Sequence, residues 1–269
     1  MTRRSIFITG GASGIGRATA RYFGERGWFV GIGDVNVEGM EDTLGLIEGG
    51  FKYMHRLDVR DRAAWDEALA AFNTAAGSRI DVVVNNAGIG TGGPLAELEK
   101  DEIDRCLDIN LRGVLYGAQA VYPYLKASAP GSALINIASA AGLTGGSGMS
   151  VYSATKFAVR GIAESLDAEW APDGIKVASI CPSFIETPLL DGTGNRKTNE
   201  NIRTRVTAAG LEITPVEEVA RTIWDAVHGE ELHYLVGKTA RQLAFAKRWM
   251  PGRVRKQQRA AGRQGLLGR

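Results

Sequence analysis

Short apolar runs rich in Ile, Val and Phe alternate along this chain with amphipathic stretches of helical length, and few folds accommodate that rhythm. The runs occupy residues 6–9, 29–34, 53–59, 80–85, 133–139 and 175–181, with a weaker one at 233–236. The helical stretches occupy 14–26, 37–47, 62–76, 101–126, 151–171 and 215–228. Strands separated by helices join through right-handed crossovers, so the pattern predicts an α/β fold, a doubly wound parallel sheet with helices on both faces. Sheets of this kind hold ligands beyond the carboxyl ends of their strands. With 269 residues, 44% of them hydrophobic, the chain can bury one large core; a disordered or fibrous protein is excluded and a single domain is expected.

The first strand runs directly into Thr9-Gly-Gly-Ala-Ser-Gly-Ile-Gly16 and then into a helix. Gly10, Gly14 and Gly16 permit a tight turn, a close approach of backbone to a pyrophosphate, and contact between helix and strand. Ser13 and Ile15 lie in the same turn, where the helix N-terminus supplies free N–H groups and a partial positive charge. The second strand ends in Asp34, 18 residues past Gly16. A carboxylate there accepts hydrogen bonds from both ribose hydroxyls and repels a 2′-phosphate, which favours NAD over NADP. Val35 offers no cation to rescue a phosphate; Arg17 is the neighbour that could.

Tyr152-Ser-Ala-Thr-Lys156 opens a predicted helix, and the i,i+4 spacing puts both side chains on one face. A phenol with its reference pKa of about 10 is a poor base at neutral pH, but a nearby ammonium stabilises phenolate. The pair makes a tunable acid/base. In isolation Tyr-x-x-x-Lys is a common surface or packing pair, so its meaning depends on its neighbours.

Together these residues resemble the short-chain dehydrogenase/reductase family in its NAD-preferring branch, with a Rossmann fold. The resemblance covers about residues 5–190 through Thr9-Gly-x-x-x-Gly-Ile-Gly16, Asp34, Asp58-Val59, Asn85-Asn-Ala-Gly88, Asn110, Ser139, Tyr152-x-x-x-Lys156 and Pro182-x-x-x-x-Thr187. It implies Tyr152 as general acid/base, Lys156 as the group that lowers its pKa and bonds the nicotinamide ribose, Ser139 as orienter of the substrate oxygen, and Asn110 as holder of a water in a proton relay. It further implies that Asp58 and Val59 bracket the adenine and that Asn85, Asn86, Ala87 and Gly88 line the cofactor floor. Pro182, Ile185 and Thr187 would then border the nicotinamide. Hydride leaves a carbinol carbon together with the hydroxyl proton, and donors at Ser139 and Tyr152 would steady the oxygen's developing charge. Without the Tyr-Lys pair, Ser139 reads as a strand-end hydroxyl capping a turn and Asn110 as a mid-helix amide.

Two departures from the family's pattern stand out. Pro182-Ser183 replaces the usual Pro-Gly, so a side chain enters beside the expected nicotinamide position. The Asp-Gly-Gly ending that helps build tetramers is absent, so a dimer through helices 101–126 and 151–171 is expected in place of a tetramer. The ending looks more like that of members handling retinoid, steroid or other lipophilic alcohols.

Residues 187–214 are polar and irregular, which suits a substrate lid, with Arg196 or Lys197 able to reach a carboxylate. Ala140, Leu143, Gly145, Gly146, Met149, Ser183, Leu189 and Leu190 are pocket candidates. Small and apolar as they are, they favour a hydrophobic or aromatic secondary alcohol or its ketone. The catalytic domain is expected over residues 1–237, followed at 238–269 by a basic helix and tail.

Residues 232–269 carry ten Lys/Arg and no Asp/Glu, leaving 22 Lys/Arg against 30 Asp/Glu before them. Leu243, Ala246, Lys247 and Met250 follow helical spacing, with Phe245 and Trp249 on an adjacent stripe. Such a helix can lie on an anionic membrane surface, close over the pocket or cover a dimer surface. Residues 253–269 read as a mobile solvated tail, without a nucleic-acid motif. A dinucleotide-binding sensor or scaffold using this tail is the alternative to an enzyme. The start shows no signal-peptide core and no stretch of about 18 apolar residues occurs, so a cytoplasmic protein is expected. Cys106 and Cys181 form no CxxC and the three histidines no ligand spacing, so buried free thiols and no metal are expected.

Overall fold

The computed structural model describes residues 3–192 and 200–264, and side chains up to residue 260. The chain runs β1 (Ser5–Thr9), α1 (Gly14–Gly24), β2 (Phe29–Asp34), α2 (Val37–Gly45), β3 (Lys52–Arg56), α3 (Arg62–Ala75), β4 (Val82–Asn85), α4 (Lys100–Leu107), α5 (Gly113–Ser128), β5 (Ser132–Ile137) and α6 (Ser150–Trp170). It continues β6 (Ile175–Pro182), β7 (Phe184–Ile185), α7 (Ile202–Ala208), β8 (Ile213–Thr214), α8 (Val216–His228), β9 (His233–Val236), α9 (Lys238–Trp249) and α10 (Pro251–Gln264).

Seven parallel strands form one sheet in the order β3-β2-β1-β4-β5-β6-β9. The strand order reverses between β1 and β4, and a crevice opens there at the carboxyl ends of both. The doubly wound α/β architecture expected from the alternation is therefore present as a single domain.

Strand alternation divides the core between the two faces. Ile6, Ile8, Val82 and Val84 pack with Phe23, Trp28 and Ile223 against α1 and α8, whereas Phe7 and Val83 pack with Trp65, Phe72 and Leu134 against α3 and α5. Ile6, Phe7 and Ile8 have no exposed surface, and each such burial contributes about 1.5–3 kcal/mol of transfer free energy. That rigidity matters because the next residues after β1 form the glycine-rich loop.

Several local expectations need correction. The helix expected at 101–126 is interrupted by a π-turn at Asp108–Arg112, centred on Asn110. The strand expected to reach Val59 stops at Arg56, so Asp58 and Val59 stand in the following loop. The tail expected from residue 253 is helical through Gln264, because Arg, Lys, Gln and Ala favour helix and Val254, 6% exposed, anchors it. Residues 187–214 contain a 3₁₀ turn at Pro188–Asp191, then α7 and β8. Arg196 and Lys197 lie outside the described residues.

Candidate active site

Gly10 to Gly16 carry the chain from β1 into α1, and the loop is fastened to its surroundings. Gly10 N–H donates to Gly33 O over 2.8 Å. Asn86 Nδ2 donates to the carbonyls of Thr9 at 2.8 Å and Gly10 at 3.2 Å, while Thr9 Oγ1 accepts from the backbone N–H of Asn86 and Ala87. At Gly16 a Cβ would stand 2.1 Å from Gly10 O, so no side chain fits where α1 meets the loop. Ser13 occupies the N-cap of α1 without a side-chain capping bond, and Ser13, Gly14 and Ile15 line the crevice at this uncapped helix end.

That crevice is a cavity of about 700 Å³. Gly10, Ser13, Gly14 and Ile15 form its floor; Asp34, Val35, Asp58 and Val59 stand at one end; Ser139, Tyr152, Lys156, Pro182, Ile185 and Thr187 stand at the other. Asn86, Ala87 and Gly88 line it between the two ends. Gly16 contributes by packing and does not border the cavity. Asn85 is corrected: as the last residue of β4 it is 3% exposed and donates to Asn136 Oδ1 at 2.9 Å inside the sheet.

Asp34 accepts from Ala12 N–H at 3.1 Å on Oδ2 and from Asn36 N–H at 3.0 Å on Oδ1. Each oxygen keeps a further lone pair for a ribose hydroxyl. Arg17, the one alternative cation noted in the sequence, is tied down beneath the loop. Its Nη2 donates to Ala12 O at 2.6 Å and Gly39 O at 3.2 Å, and its Nε to Thr43 Oγ1 at 3.0 Å. Asp58 is held below the usual carboxylate range by hydrogen bonds from Arg60.

At the other end, Tyr152 and Lys156 stand on α6 with the Lys156 Nζ 5.7 Å from the phenol ring centre. Burial pushes the Tyr152 phenol up, and its hydrogen bond with Ser139 opposes that rise. Burial also pushes Lys156 down, to about 8, which leaves its ammonium mostly protonated at neutral pH. The ammonium donates to Ile137 O at 2.9 Å. Ser139 Oγ accepts from Ala141 N–H at 3.1 Å. This cap fixes the hydroxyl beside the Tyr152 phenol it bonds, so Ser139 caps the turn as a strand-end hydroxyl would.

Asn110 reaches the site through a contact the sequence did not reveal. Its carboxamide accepts from Ile89 N–H and donates to Ile89 O, both at 2.8 Å. Gly88 lies between this residue and the lysine, where a Cβ would stand 3.2 Å from Asn110 Oδ1 and 3.6 Å from Lys156 Nζ. Cys106, a buried free thiol, stands 3.5 Å from Asn110 Nδ2, and burial pushes it up.

Of the pocket candidates, Met149, Ser183, Leu189 and Leu190 border the cavity, joined by Ile89, Thr91, Phe184, Ile202 and Arg205. Ala140, Leu143, Gly145 and Gly146 do not. The 3₁₀ turn at Ala140–Gly142 folds against α6 so closely that a Cβ on Gly142 would meet Lys156 O at 2.6 Å, which carries the chain behind the helix. Ser183 borders the cavity with its Oγ buried beside Gly237, where a Cβ built on that glycine would stand 2.3 Å from it.

A family model described as short chain dehydrogenase matches residues 4–198. A 3-alpha-(or 20-beta)-hydroxysteroid dehydrogenase of Mycobacterium tuberculosis is 39% identical over 184 residues, covering 68% of this chain and 70% of that protein. A 3-oxoacyl-(acyl-carrier-protein) reductase of Thermotoga maritima is 34% identical over 233 residues, covering 86% of this chain and 92% of that protein. Among solved structures, a 3-ketoacyl-(acyl-carrier-protein) reductase of Brucella melitensis complexed with NADH superposes with a TM-score of 0.76 at 28% identity, covering 87% of this chain and 96% of that one.

Proposed function

The chain belongs to the short-chain dehydrogenase/reductase family of oxidoreductases, and on that premise we propose that it transfers hydride between NAD(H) and a lipophilic secondary alcohol or its ketone. The observation that carries the reading is the convergence of Ser139, Tyr152 and Lys156 at one end of a cavity whose other end is Asp34. The residues present fit a dinucleotide: the end of α1 without a side-chain cap lines the cavity where a pyrophosphate would lie, and positive φ at Gly10 and Gly14 would let the backbone approach it.

The cofactor supplies the hydride chemistry when bound. Ser139, bonded to Tyr152 in this structure, donates its proton to the substrate oxygen when substrate is bound. Tyr152, as phenolate, takes the alcohol's proton on its oxygen during oxidation and, as phenol, returns it during reduction. The Ser139 hydrogen bond favours phenolate and opposes the upward push of burial, and the Lys156 ammonium stands 5.7 Å from the ring centre. Asn110, tied to Ile89 on both edges of its carboxamide, positions the Gly88–Ile89 backbone beside the ammonium. Asp34 discriminates at the ribose: its carboxylate repels a 2′-phosphate, Arg17 is bonded to Ala12 O, Gly39 O and Thr43 Oγ1 beneath the loop, Val35 is apolar and the Asn36 side chain accepts from Gly39 N–H. This supports NAD.

Met149, Phe184, Leu189, Leu190 and Ile202 give the substrate end an apolar lining, in keeping with a bulky apolar substrate and with the hydroxysteroid named for the mycobacterial relative. Arg205 on α7 also borders it, so an oxoacyl thioester of the kind named for the Thermotoga relative is the comparison substrate. Both cysteines are free and buried, which suits the reducing cytoplasm.

A homodimer through α5 and α6 completes the proposal. These helices present a surface groove of about 800 Å³ lined by Leu115, Tyr116, Tyr122, Ile162, Leu166 and Trp170.

The test is the absorbance of reduced nicotinamide with NAD or NADP and a panel of secondary alcohols from short aliphatic to steroidal, with reduction of an oxoacyl thioester alongside. Turnover with NAD and a bulky apolar alcohol is expected, falling at least about 10³-fold in Tyr152→Phe with NADH binding kept. Turnover that survived this change would sink the mechanism; silence across the panel with intact NADH binding would favour the sensor.

A further inference from the structure

The chain's cations are concentrated at its end: the ten Lys/Arg and no Asp/Glu of residues 232–269 follow a preceding stretch in which acids outnumber bases. α9 leaves β9 through Gly237, buries Ala240 completely and packs on β9 and on the Ala140–Gly142 turn. Its outward face is formed by Lys238, Gln242, Phe245 and Trp249 at i, i+4, i+7 and i+11, with Arg241 and Arg248 one turn either side of Phe245. All six are exposed. Phe245 at 60% and Trp249 at 64% exposure are the most exposed large apolar side chains among the described residues. The Arg248 guanidinium stands 5.3 Å from the Trp249 ring centre. α10 follows, held by Val254, and adds exposed Arg253, Arg255, Lys256 and Arg259.

We propose that this face docks the protein on an anionic lipid surface, with Phe245 and Trp249 entering the headgroup region and the surrounding cations meeting the lipid phosphates. Aromatic side chains flanked by Lys and Arg on one helical stripe, with no acid among them, match what an anionic interface selects. A second copy fits this face poorly, because an isologous contact would set the same cations against themselves. A nucleic acid strand fits poorly too, because it is gripped by a groove tracking its backbone, and this face is the convex side of a helix. The Ala140–Gly142 turn beneath α9 begins one residue after Ser139, so docking would bring the catalytic end of the sheet toward the membrane. The inference rests on surface residues alone and stands whether or not the assigned substrate class is right.

The test is sedimentation of the full chain with vesicles of phosphatidylcholine alone or mixed with phosphatidylglycerol, at low and high salt. Binding is expected only to the anionic vesicles and should weaken with salt. Phe245→Ser with Trp249→Ser should lower the partition coefficient at least about tenfold, and Arg241→Gln and Arg248→Gln about fivefold each, without changing NADH binding or the melting temperature. Absence of wild-type binding at low salt, or equal binding by the aromatic double variant, would overturn the proposal. So would a double variant that lost subunits by light scattering without any vesicle binding by the parent, which would assign the face to a second copy. Tighter binding to a single-stranded oligonucleotide than to the vesicles, lost in the same variant, would assign it to nucleic acid.

Discussion

Asp34→Asn tests the cofactor argument most directly, because it removes charge and keeps shape. A 2′-phosphate on a ribose held by Asp34 brings its charge to within about 4 Å of the carboxylate. At that distance like unit charges repel by about 1 kcal/mol in water and about 4 kcal/mol at a protein surface. Asp34 is half-buried, so about 2 kcal/mol per unit charge is appropriate. A phosphate of charge about −1.5 to −2 then meets roughly 3–4 kcal/mol of repulsion, a discrimination of roughly 10²–10³-fold. The amide also loses a charge-assisted bond to the ribose of NAD, and it can accept from only one of Ala12 N–H and Asn36 N–H in its ordinary orientation. A loss of about tenfold to a hundredfold in kcat/KM with NAD follows. The assay is kcat/KM with NAD and with NADP for both proteins at two ionic strengths. The NAD:NADP ratio should collapse by at least about 10², and the parent's rejection of NADP should ease as salt rises. A ratio that moves less than about threefold, or a parent that prefers NADP, would refute the reasoning.

Lys156 gives a stability prediction. Its folded pKa of about 8 against an ordinary 10.5 means that the unfolded chain binds the proton more tightly between those values, so stability rises with pH from about 8 to about 10.5 and is flat below. The rise is about 3 kcal/mol, and denaturant titrations of the apo protein should show it in the parent and lose it in Lys156→Met. Gly16→Ala forces a Cβ to 2.1 Å from Gly10 O; NADH affinity should fall at least about tenfold with a lowered Tm, whereas Gly45→Ala, with nothing within 4 Å of the new Cβ, should leave both intact. Leu115, 46% exposed in the groove between α5 and α6, tests the dimer: Leu115→Glu should give monomers by light scattering, and an unchanged mass would place the interface elsewhere.

What the sequence disclosed and what it hid divide along a physical line. Regular burial leaves a period, so Ile6-Phe7-Ile8 and Val82-Val83-Val84 announced strands, and the i,i+4 spacing of Tyr152 and Lys156 announced a shared face. Asp34 was legible because strand end and loop start lie next to each other in the chain. Two-residue strands such as β7 and β8 carry no period, and they stayed hidden. So did the π-turn at Asn110, where one extra residue per turn goes with a carboxamide bonded across to Ile89; that partner lies 21 residues away and no local pattern encodes it. The pocket candidates failed for a related reason. Proximity in sequence to Ser139 put Ala140 and Leu143 in the cavity, but the turn's direction is decided by the backbone contact between Gly142 and Lys156, a tertiary fact. Asn85 and Asn86 show how narrow the margin is. The first belongs to β4 and bonds within the sheet; the second, one residue on, borders the cavity and locks the glycine loop. A shared motif names both residues, but only the end of the strand decides which one borders the cavity.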